Sequence, residues 1–401
     1  MRPPLRAASL LAVIALVLAG CGGGGDSSGD AAPTPGEGDQ APALGQGGGD
    51  EQAATDLGFP AFATRNTTRV GGADPIADAA AVAQAVYPSR DEDTRPEAVA
   101  IVDSSDWRVA VSTAQLMAPP LRAPMLFSDG GSLPPATEQA LGRLIPTGAK
   151  QAGNAQIIRV GQAAEAEGYR ATSVEGADYA ALAQAIDRLQ TAAAGKPTGA
   201  VIVASAEQPG YAMPAAGWAA KSGQPVLWVT HDAIPPSTRA AITAHKRPQI
   251  YVLGPEAAIS ARVEKQLGEL GQVKRVSGAD PVANAIAFAR EPDLWNVVDP
   301  GHGLVFLNTQ RPLDAASAAP LSASGTYGPQ LLLTEGNALP ARLQDYLLDI
   351  QPGYDEDPVR GVYNHGWIIG DEGAVSVDVQ ARIDSLLEIQ PVGGAAGDDD
   401  S

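Results

Sequence analysis

Three stretches of the chain repeat one another, and this repetition limits the possible folds more than any other feature of the sequence. They are TRVGGADPIADAAAVAQAVY from Thr68, TSVEGADYAALAQAIDRL from Thr172 and KRVSGADPVANAIAFARE from Lys274. Each places Gly-Ala-Asp between a strand-like segment and an Ala-rich, helix-like segment. The aspartates recur at steps of 104 and 102 residues. One unit, built three times, therefore accounts for most of the chain.

Two further blocks follow each Gly-Ala-Asp stretch in the same order. The first reads EAVAIVDSSDWRVAVSTAQLM, GAVIVASAEQPGYAMPAAGWAA and GLVFLNTQRPLDAASAAPLSA, which indicates a strand, a turn and a helix of small residues. The second contains PMLF, PVLW and QLLL, continuous apolar runs that are typical of a strand covered on both faces of a parallel sheet. Strands that alternate with helices predict an α/β fold of three tandem doubly wound, Rossmann- or flavodoxin-like modules.

The aspartates of the Gly-Ala-Asp stretches, Asp74, Asp178 and Asp280, are expected to be structural helix caps. An aspartate before a helix accepts hydrogen bonds from the free N–H groups of the first turn. Pro75 and Pro281 suit the first helical position, because proline has no N–H to leave unpaired there.

The repeats predict modules at residues 67–170, 171–271 and 272–390. Residues 22–56 are rich in Gly, Ser, Asp, Pro and Ala and contain no aromatic or basic residue. Such a composition buries too little apolar surface to fold, so we expect a disordered tether. Residues 391–401 are predicted to form a disordered acidic tail.

The N-terminus carries the pattern of an export signal. Two arginines precede a short apolar run that ends in small residues and is too short to span a bilayer. Cys21, the only cysteine, follows in LAGC, which resembles the lipobox of bacterial lipoproteins. Residues 1–21 are thus interpreted as a lipoprotein signal peptide and Cys21 as the lipidated residue. The alternative is a secretory signal with an accidental cysteine.

The charge of the chain argues against nucleic acid as a partner. The net charge is −19, and about −11 remains when the acids of the tether and tail and the two arginines of the signal are set aside. A body of this charge repels a phosphate backbone, and only a local basic groove would offset this repulsion.

Enzyme signatures are missing from the sequence. His231, His245, His302 and His365 show no metal-ligand spacing, and no Walker loop, nucleophile elbow or dinucleotide-binding glycine pattern occurs. Ser104, Ser105 and Asp106 follow a strand without an accompanying base and are interpreted as turn and cap residues. We therefore expect no catalysis, no cofactor and no metal.

The ordered blocks resemble the second family of bacterial cell wall binding repeats, which occur in tandem threes. The third copy matches best, with RVSGADP, PLDAASAAPLSA, LLLTEGNALP and WIIGDEGAVS in the family order. The resemblance covers about residues 67–390. It implies modules packed around a pseudo-threefold axis that bind an anionic wall polymer noncovalently.

The sequence also departs from the family pattern. The family aspartate before the small-residue helix is present only as Asp314, with Ala110 and approximately Tyr211 at the corresponding places. The arginine before Gly-Ala-Asp is present as Arg69 and Arg275, but Ser173 replaces it in the middle copy.

Arg69 and Arg275 are the candidate polymer-binding residues. Arginine matches the geometry of phosphate and carboxylate, and each lies at a strand end near a helix N-terminus. The alternative is structural pairing across a module interface. Asp129 and Glu335 follow apolar strands and are expected to serve turns rather than binding.

The sequence thus predicts a non-catalytic protein that is anchored in the cell membrane through acylated Cys21 and faces the cell wall. Its partner would be a wall polymer or a peptidoglycan-associated glycan. Two alternatives remain open: a solute-binding lipoprotein, which would need two lobes around a cleft, and a protein-interaction scaffold of the cell surface.

Overall fold

A computed structural model describes residues 61–323 and 327–392. The expected signal peptide, Cys21, the tether at 22–56 and the tail residues 393–401 lie outside this range. The described chain begins with the antiparallel strands β1 (Ala61–Ala63) and β2 (Thr67–Val70), followed by helix α1 (Pro75–Val86).

The first parallel sheet has the spatial order β4-β3-β5-β6. Its strands are β3 (Val99–Asp103), β4 (Met125–Ser128), β5 (Ile157–Val160) and β6 (Ala171–Val174). The helices of this region are α2 (Trp107–Thr113), α3 (Pro135–Leu144) and, after β6, α4 (Tyr179–Ala194). No helix lies between β5 and β6 in this described part of the chain.

The second sheet repeats this order as β8-β7-β9-β10. Its strands are β7 (Ala200–Ser205), β8 (Val226–Val229), β9 (Gln249–Leu253) and β10 (Gln272–Val276). The helices are α5 (Pro209–Ala212), α6 (Ala215–Ser222), α7 (Pro236–Ala244), α8 (Ala261–Gly268) and, after β10, α9 (Pro281–Arg290).

The third sheet has the order β1-β2-β14-β11-β12. Its own strands are β11 (Gly303–Asn308), β12 (Tyr327–Leu333) and β14 (His365–Ile369). The helices are α10 (Leu313–Ser317), α11 (Ala319–Ala323), α12 (Ala341–Asp349) and α13 (Val377–Leu387). A short ladder joins β13 (Gly353–Tyr354) to β15 (Gln390–Pro391), so Pro391, the first residue of the predicted tail, belongs to a strand.

The strand that opens each sequence repeat completes the sheet of another repeat. β6 and β10 open the second and third repeats, yet they pair with β5 and β9 of the preceding repeat. β2 opens the first repeat and pairs in parallel with β14 of the last, with Thr68 opposite Trp367. The structural unit is thus offset by one strand from the predicted boundaries, and the first two described strands close the third sheet. The predicted α/β class with parallel sheets is confirmed, while the pseudo-threefold arrangement stays a prediction.

The predicted continuous apolar runs are buried, and their strands, β4, β8 and β12, each lie at one end of a sheet. Every residue of β4, β8 and β11 is buried. One core cluster includes buried side chains from all three repeats, among them Val111, Trp228 and Leu331. The Trp228 indole donates a hydrogen bond to Ser112 Oγ (2.8 Å) in the first region and packs edge-to-face on Trp107, with ring centroids 5.2 Å apart. The repeats therefore share part of their interior, while the strands of the first sheet pack in two further clusters.

Local contacts explain why glycine and aspartate recur in the Gly-Ala-Asp stretch. Asp178 accepts a hydrogen bond from Ala181 N (2.8 Å), and the chain before it folds closely over the first turn of α4. A Cβ on Gly176 would lie 2.5 Å from Leu182 N, so only glycine fits. Asp74 accepts from Ile76 N and Ala77 N, and Asp280 accepts from Ala283 N; both helices have proline at the first position.

Candidate functional site

The three sheets present equivalent clefts at the carboxyl ends of their strands. In a parallel sheet, ligands bind outside the carboxyl ends where the strand order reverses. Here that point lies between the first and third strands of each sheet: β3 and β5, β7 and β9, β11 and β14. Each of these first strands ends in a polar residue that accepts a hydrogen bond from the N–H two residues further on. The bonds are Asp103 to Ser105 N (3.0 Å), Ser205 to Glu207 N (3.2 Å) and Asn308 to Gln310 N (2.9 Å).

In the third module, a buried charge cluster fills this position. Arg311 forms ion pairs with Asp78 of α1 and with Asp314 of α10, the latter at 2.8 Å. Both carboxyl groups are fully buried, and Asp78 also accepts a hydrogen bond from Gly72 N (2.6 Å). Asp314, the family aspartate noted in the sequence, thus helps join the first helix to the last module.

The two carboxyl groups titrate far above their ordinary range. Burial raises the pKa of Asp78 to about 9, and the nearby Asp314 charge adds to the shift, while Arg311 opposes it. Burial likewise raises the pKa of Asp314 to about 6 against the opposing charge of Arg311. Near neutral pH the pair therefore holds one proton and one negative charge, which balances the single guanidinium.

In the second module, uncharged groups fill the corresponding position. Asn284 replaces Asp78, accepts from Gly278 N (3.3 Å) and donates to the carbonyl of Tyr211 (3.3 Å). The Tyr211 hydroxyl reaches the carbonyl of Ala279 (3.4 Å). Hydrogen bonds between uncharged groups therefore fill the cleft of the second module, whereas ion pairs fill that of the third.

In the first module, the position is open. A cleft of about 240 Å³ extends from the ends of β3 and β5 to the start of α4. Arg108 forms two 2.8 Å hydrogen bonds with the carboxylate of Asp106, and its guanidinium lies 4.2 Å from the ring centroid of Tyr179. Asp103, Asp178 and Leu182 also line this cleft.

Arg69 and Arg275 lie at the strand ends, where the sequence placed them, and their guanidinium groups point into the protein. Arg69 donates to Gln380 Oε1 (2.9 Å) and to the carbonyls of Gly370 (2.9 Å), Asp371 (2.7 Å) and Val375 (2.7 Å). Burial lowers the pKa of Arg69, although Glu372 and Asp371 oppose the shift.

Arg275 makes the corresponding set of contacts one module earlier. It pairs with Glu264 (2.7 Å) and donates to the carbonyls of Gly254 (2.7 Å) and Ile259 (2.9 Å). These contacts describe the structural alternative raised from the sequence. Contact with a polymer stays a prediction for both arginines.

The remaining sequence candidates have local roles. Asp106 caps α2 by accepting from Arg108 N, and Asp129 and Glu335 each form an isolated bridge in a turn. His245 is buried and pairs with Asp187 (2.8 Å). Burial disfavours its charge, but the bonds to Asp187 and the Thr198 carbonyl outweigh this and raise the pKa of His245. Residues 61–323 and 327–392 contain no group of three or more His, Cys, Asp or Glu placed to hold a metal ion.

Sequence reasoning missed the side chains that distinguish the three clefts. They are Asp78 and Arg311 in the third module, Asn284 in the second, and Asp103, Arg108 and Tyr179 in the first. The residue at the end of each central strand could have pointed to this difference. Aligning the repeats at that position places Asp103, Ser205 and Asn308 together. What fills each cleft depends on residues from other repeats and could not be deduced from one block.

Several solved chains share this fold, among them two proteins of one organism. Cwp6 from Clostridium difficile superposes with a TM-score of 0.64 at 18% identity, covering 80% of this chain and 48% of that chain. Cwp8 from the same organism superposes with a TM-score of 0.61 at 17% identity, covering 84% and 53%. At these identities the likeness shows the fold, and the chain spans about half of each structure.

A curated protein shares part of the sequence. The amidase enhancer of Bacillus subtilis (strain 168) is 28% identical over 184 residues, which is 46% of this chain and 22% of that protein. No helix among the described residues is both long enough and apolar enough to cross a membrane.

The model of the family described as Cell wall binding domain 2 (CWB2) matches residues 173–264 and 275–380. These ranges fall within the second and third repeats. The first repeat, which lies outside the match, is also the one without a helix after its third strand. The second and third repeats of this chain therefore belong to the Cell wall binding domain 2 family.

Proposed function

We propose that this protein binds a polymer of the cell wall noncovalently, without catalysis, and links the wall to the membrane through acylated Cys21. The observation that carries the proposal is the family match over the second and third repeats. The fold shared with Cwp6 over 80% of this chain supports the same arrangement of modules in the first repeat. A location at the cell envelope follows from the same match.

An anionic glycopolymer is the proposed ligand, as the family resemblance implies. Arg69 and Arg275 are the proposed contacts, and their donated hydrogen bonds to the 370–375 and 254–259 loops also shape the surface around them. Several weak contacts on one body would act together, because the first contact makes the later ones effectively intramolecular.

Retention on isolated walls tests polymer binding. The full chain is mixed with walls before and after chemical removal of their anionic polymer, and the retained fraction is measured. We expect retention that falls when the polymer is removed. Equal retention on both wall preparations, or none on either, would contradict the anionic ligand.

Membrane anchoring has its own test. We expect wild-type chain in the membrane fraction with an incorporated radiolabelled acyl chain, and Cys21→Ser chain without label in the soluble fraction, because two acyl chains on one residue give a stable anchor. The Cys21→Ser chain should still bind walls, since Cys21 lies outside the repeats. Label on the variant would contradict the assignment.

A further inference from the structure

The open cleft of the first module contains an acceptor without a donor. Asp103 Oδ1 accepts from Ser105 N (3.0 Å), whereas Asp103 Oδ2 is buried and accepts no hydrogen bond from residues 61–323 or 327–392. A buried carboxylate oxygen without a donor is costly, and an ionised carboxylate can only accept. A ligand that donates a hydrogen bond to Asp103 Oδ2 would therefore be favoured in this cleft.

The other two modules show what is missing here. In the third module, the group equivalent to Asp103 Oδ2 is the side-chain NH₂ of Asn308, which donates to the Ala374 carbonyl (2.9 Å). In the second module, the equivalent Ser205 has a single hydroxyl, and Glu207 N donates to it. Only the first module thus ends its central strand in a group whose second polar atom faces no partner among the described residues.

A donor is also left exposed at the opposite wall of the cleft. Gly72 N and Gly278 N donate to the side chains of Asp78 and Asn284. The counterpart of these acceptors in the first module is Leu182, which cannot accept the hydrogen bond of Gly176 N. Asp103 and Gly176 both line the cleft, so an acceptor and a backbone donor flank the same space.

Size and charge restrict the ligand further. The volume of about 240 Å³ lies below the range of drug-sized pockets, about 300–1,000 Å³, and suits a single ring. Asp103, Asp106 and Asp178 line it, and the guanidinium of the neighbouring Arg108 is already paired with Asp106. An anionic group would be repelled, while Tyr179 offers an aromatic wall to an uncharged ring.

We infer that the first-module cleft binds one uncharged sugar unit, whose hydroxyl donates to Asp103 and whose adjacent oxygen accepts from the Gly176 backbone. This inference rests on the proposed function in that the sugar belongs to the wall polymer. It assigns the first module a ligand chemistry opposite to the anionic groups proposed for Arg69 and Arg275.

The test compares two sugars that differ in one charged group. The full chain is titrated calorimetrically with N-acetylglucosamine and with N-acetylmuramic acid, which adds a carboxylate, and the amide resonances of Ser105, Gly161 and Gly176 are followed by NMR. We expect N-acetylglucosamine to bind and to shift these resonances, and N-acetylmuramic acid to bind at least 10-fold more weakly. Equal or tighter binding of N-acetylmuramic acid, or no shift with either sugar, would overturn the inference.

Two variants are expected to fold, because each places in the first module a residue that another module already has at the equivalent position. Asp103→Asn reproduces Asn308, which makes the same turn hydrogen bond, and Tyr179→Pro reproduces the Asp-Pro helix starts of α1 and α9. Each is expected to weaken N-acetylglucosamine binding at least 10-fold with thermal unfolding near that of wild type. Ser205→Ala, the matched change in the closed second module, should leave the affinity unchanged. Unchanged affinity in Asp103→Asn would overturn the inference.

Wall retention distinguishes the two proposals. If walls retain the chain but N-acetylglucosamine does not bind, the cleft inference fails and polymer binding stands. If N-acetylglucosamine binds at the cleft but walls do not retain the chain, the cleft inference stands as a small-solute site and polymer binding fails.

Discussion

At the scale of single residues, arginines and buried carboxyl groups organise the loops at the strand ends. Arg69 reaches four acceptors in the segment after β14 and in α13, and Arg275 reaches three in the segment after β9 and in α8. The carboxyl pair of Asp78 and Asp314 shares one guanidinium, that of Arg311. These side chains replace backbone hydrogen bonds that the loops cannot make with themselves.

Replacing Arg69 by methionine should lower the free energy of unfolding by about 2–4 kcal/mol, because the carbonyls of Gly370 and Val375 lose their donor inside the protein. Urea denaturation measures this, with the exposed Arg360→Met as the control expected within about 0.5 kcal/mol of wild type. Unchanged stability combined with lost wall retention would instead favour direct polymer contact by Arg69.

The Asp78 and Asp314 pair should make stability depend on pH. Both pKa values are raised above the ordinary 3.8, to about 9 and about 6, so the protonated forms are favoured in the folded state. The stabilisation is fully present at acidic pH and is lost as the pH rises through these values.

We expect Asp78→Asn to flatten the pH dependence of the melting temperature between pH 6 and 9 and to melt above wild type at pH 9. Asparagine fits, because Asn284 makes the equivalent contact in the second module. A curve parallel to that of wild type would contradict the shared proton.

At the scale of elements, the Gly-Ala-Asp stretch makes a helix begin directly after a strand. The aspartate caps the helix while the glycine lets the chain fold over the first turn. These local features could be predicted from the sequence, because capping and proline placement depend on neighbouring residues.

Gly176→Ala should therefore destabilise the protein by about 1–3 kcal/mol, since the added Cβ would lie 2.5 Å from Leu182 N and the backbone must move. Gly199→Ala is the matched control, because a Cβ there would meet nothing within 4 Å. Chemical denaturation of both variants measures the difference. Equal stability would show that the first turn of α4 adapts without cost.

At the scale of the whole molecule, the chain closes its third sheet with its first repeat. β2 pairs with β14, Ser317 Oγ donates to the Pro75 carbonyl (3.0 Å), and Arg311 pairs with Asp78. The shared core includes Trp228 and Leu331. Each module therefore depends on a strand that another repeat supplies.

Thr68→Pro should weaken this closure by about 3 kcal/mol or more, because proline cannot donate within the ladder between β2 and β14. Hydrogen exchange should show lost protection in Gly366–Ile369 and retained protection in Val99–Asp103. Thr172→Pro, the equivalent change in β6, should instead expose Ile157–Val160. Loss of protection at the same sites in both variants would contradict separate closing strands.

The sequence by itself determined the α/β class, the threefold repetition of one unit and the capped helices that follow each Gly-Ala-Asp, because these depend on periodicity and on residues close together in the chain. Only the tertiary structure decided which sheet each opening strand joins and which cleft stays open. Those outcomes rest on contacts between distant residues: Arg311 reaches Asp78 across 233 positions, and Leu182 lines the open cleft at the position where Asp78 and Asn284 accept a hydrogen bond in the other modules. Local pattern cannot encode such contacts, since packing selects them after the repeats have come together.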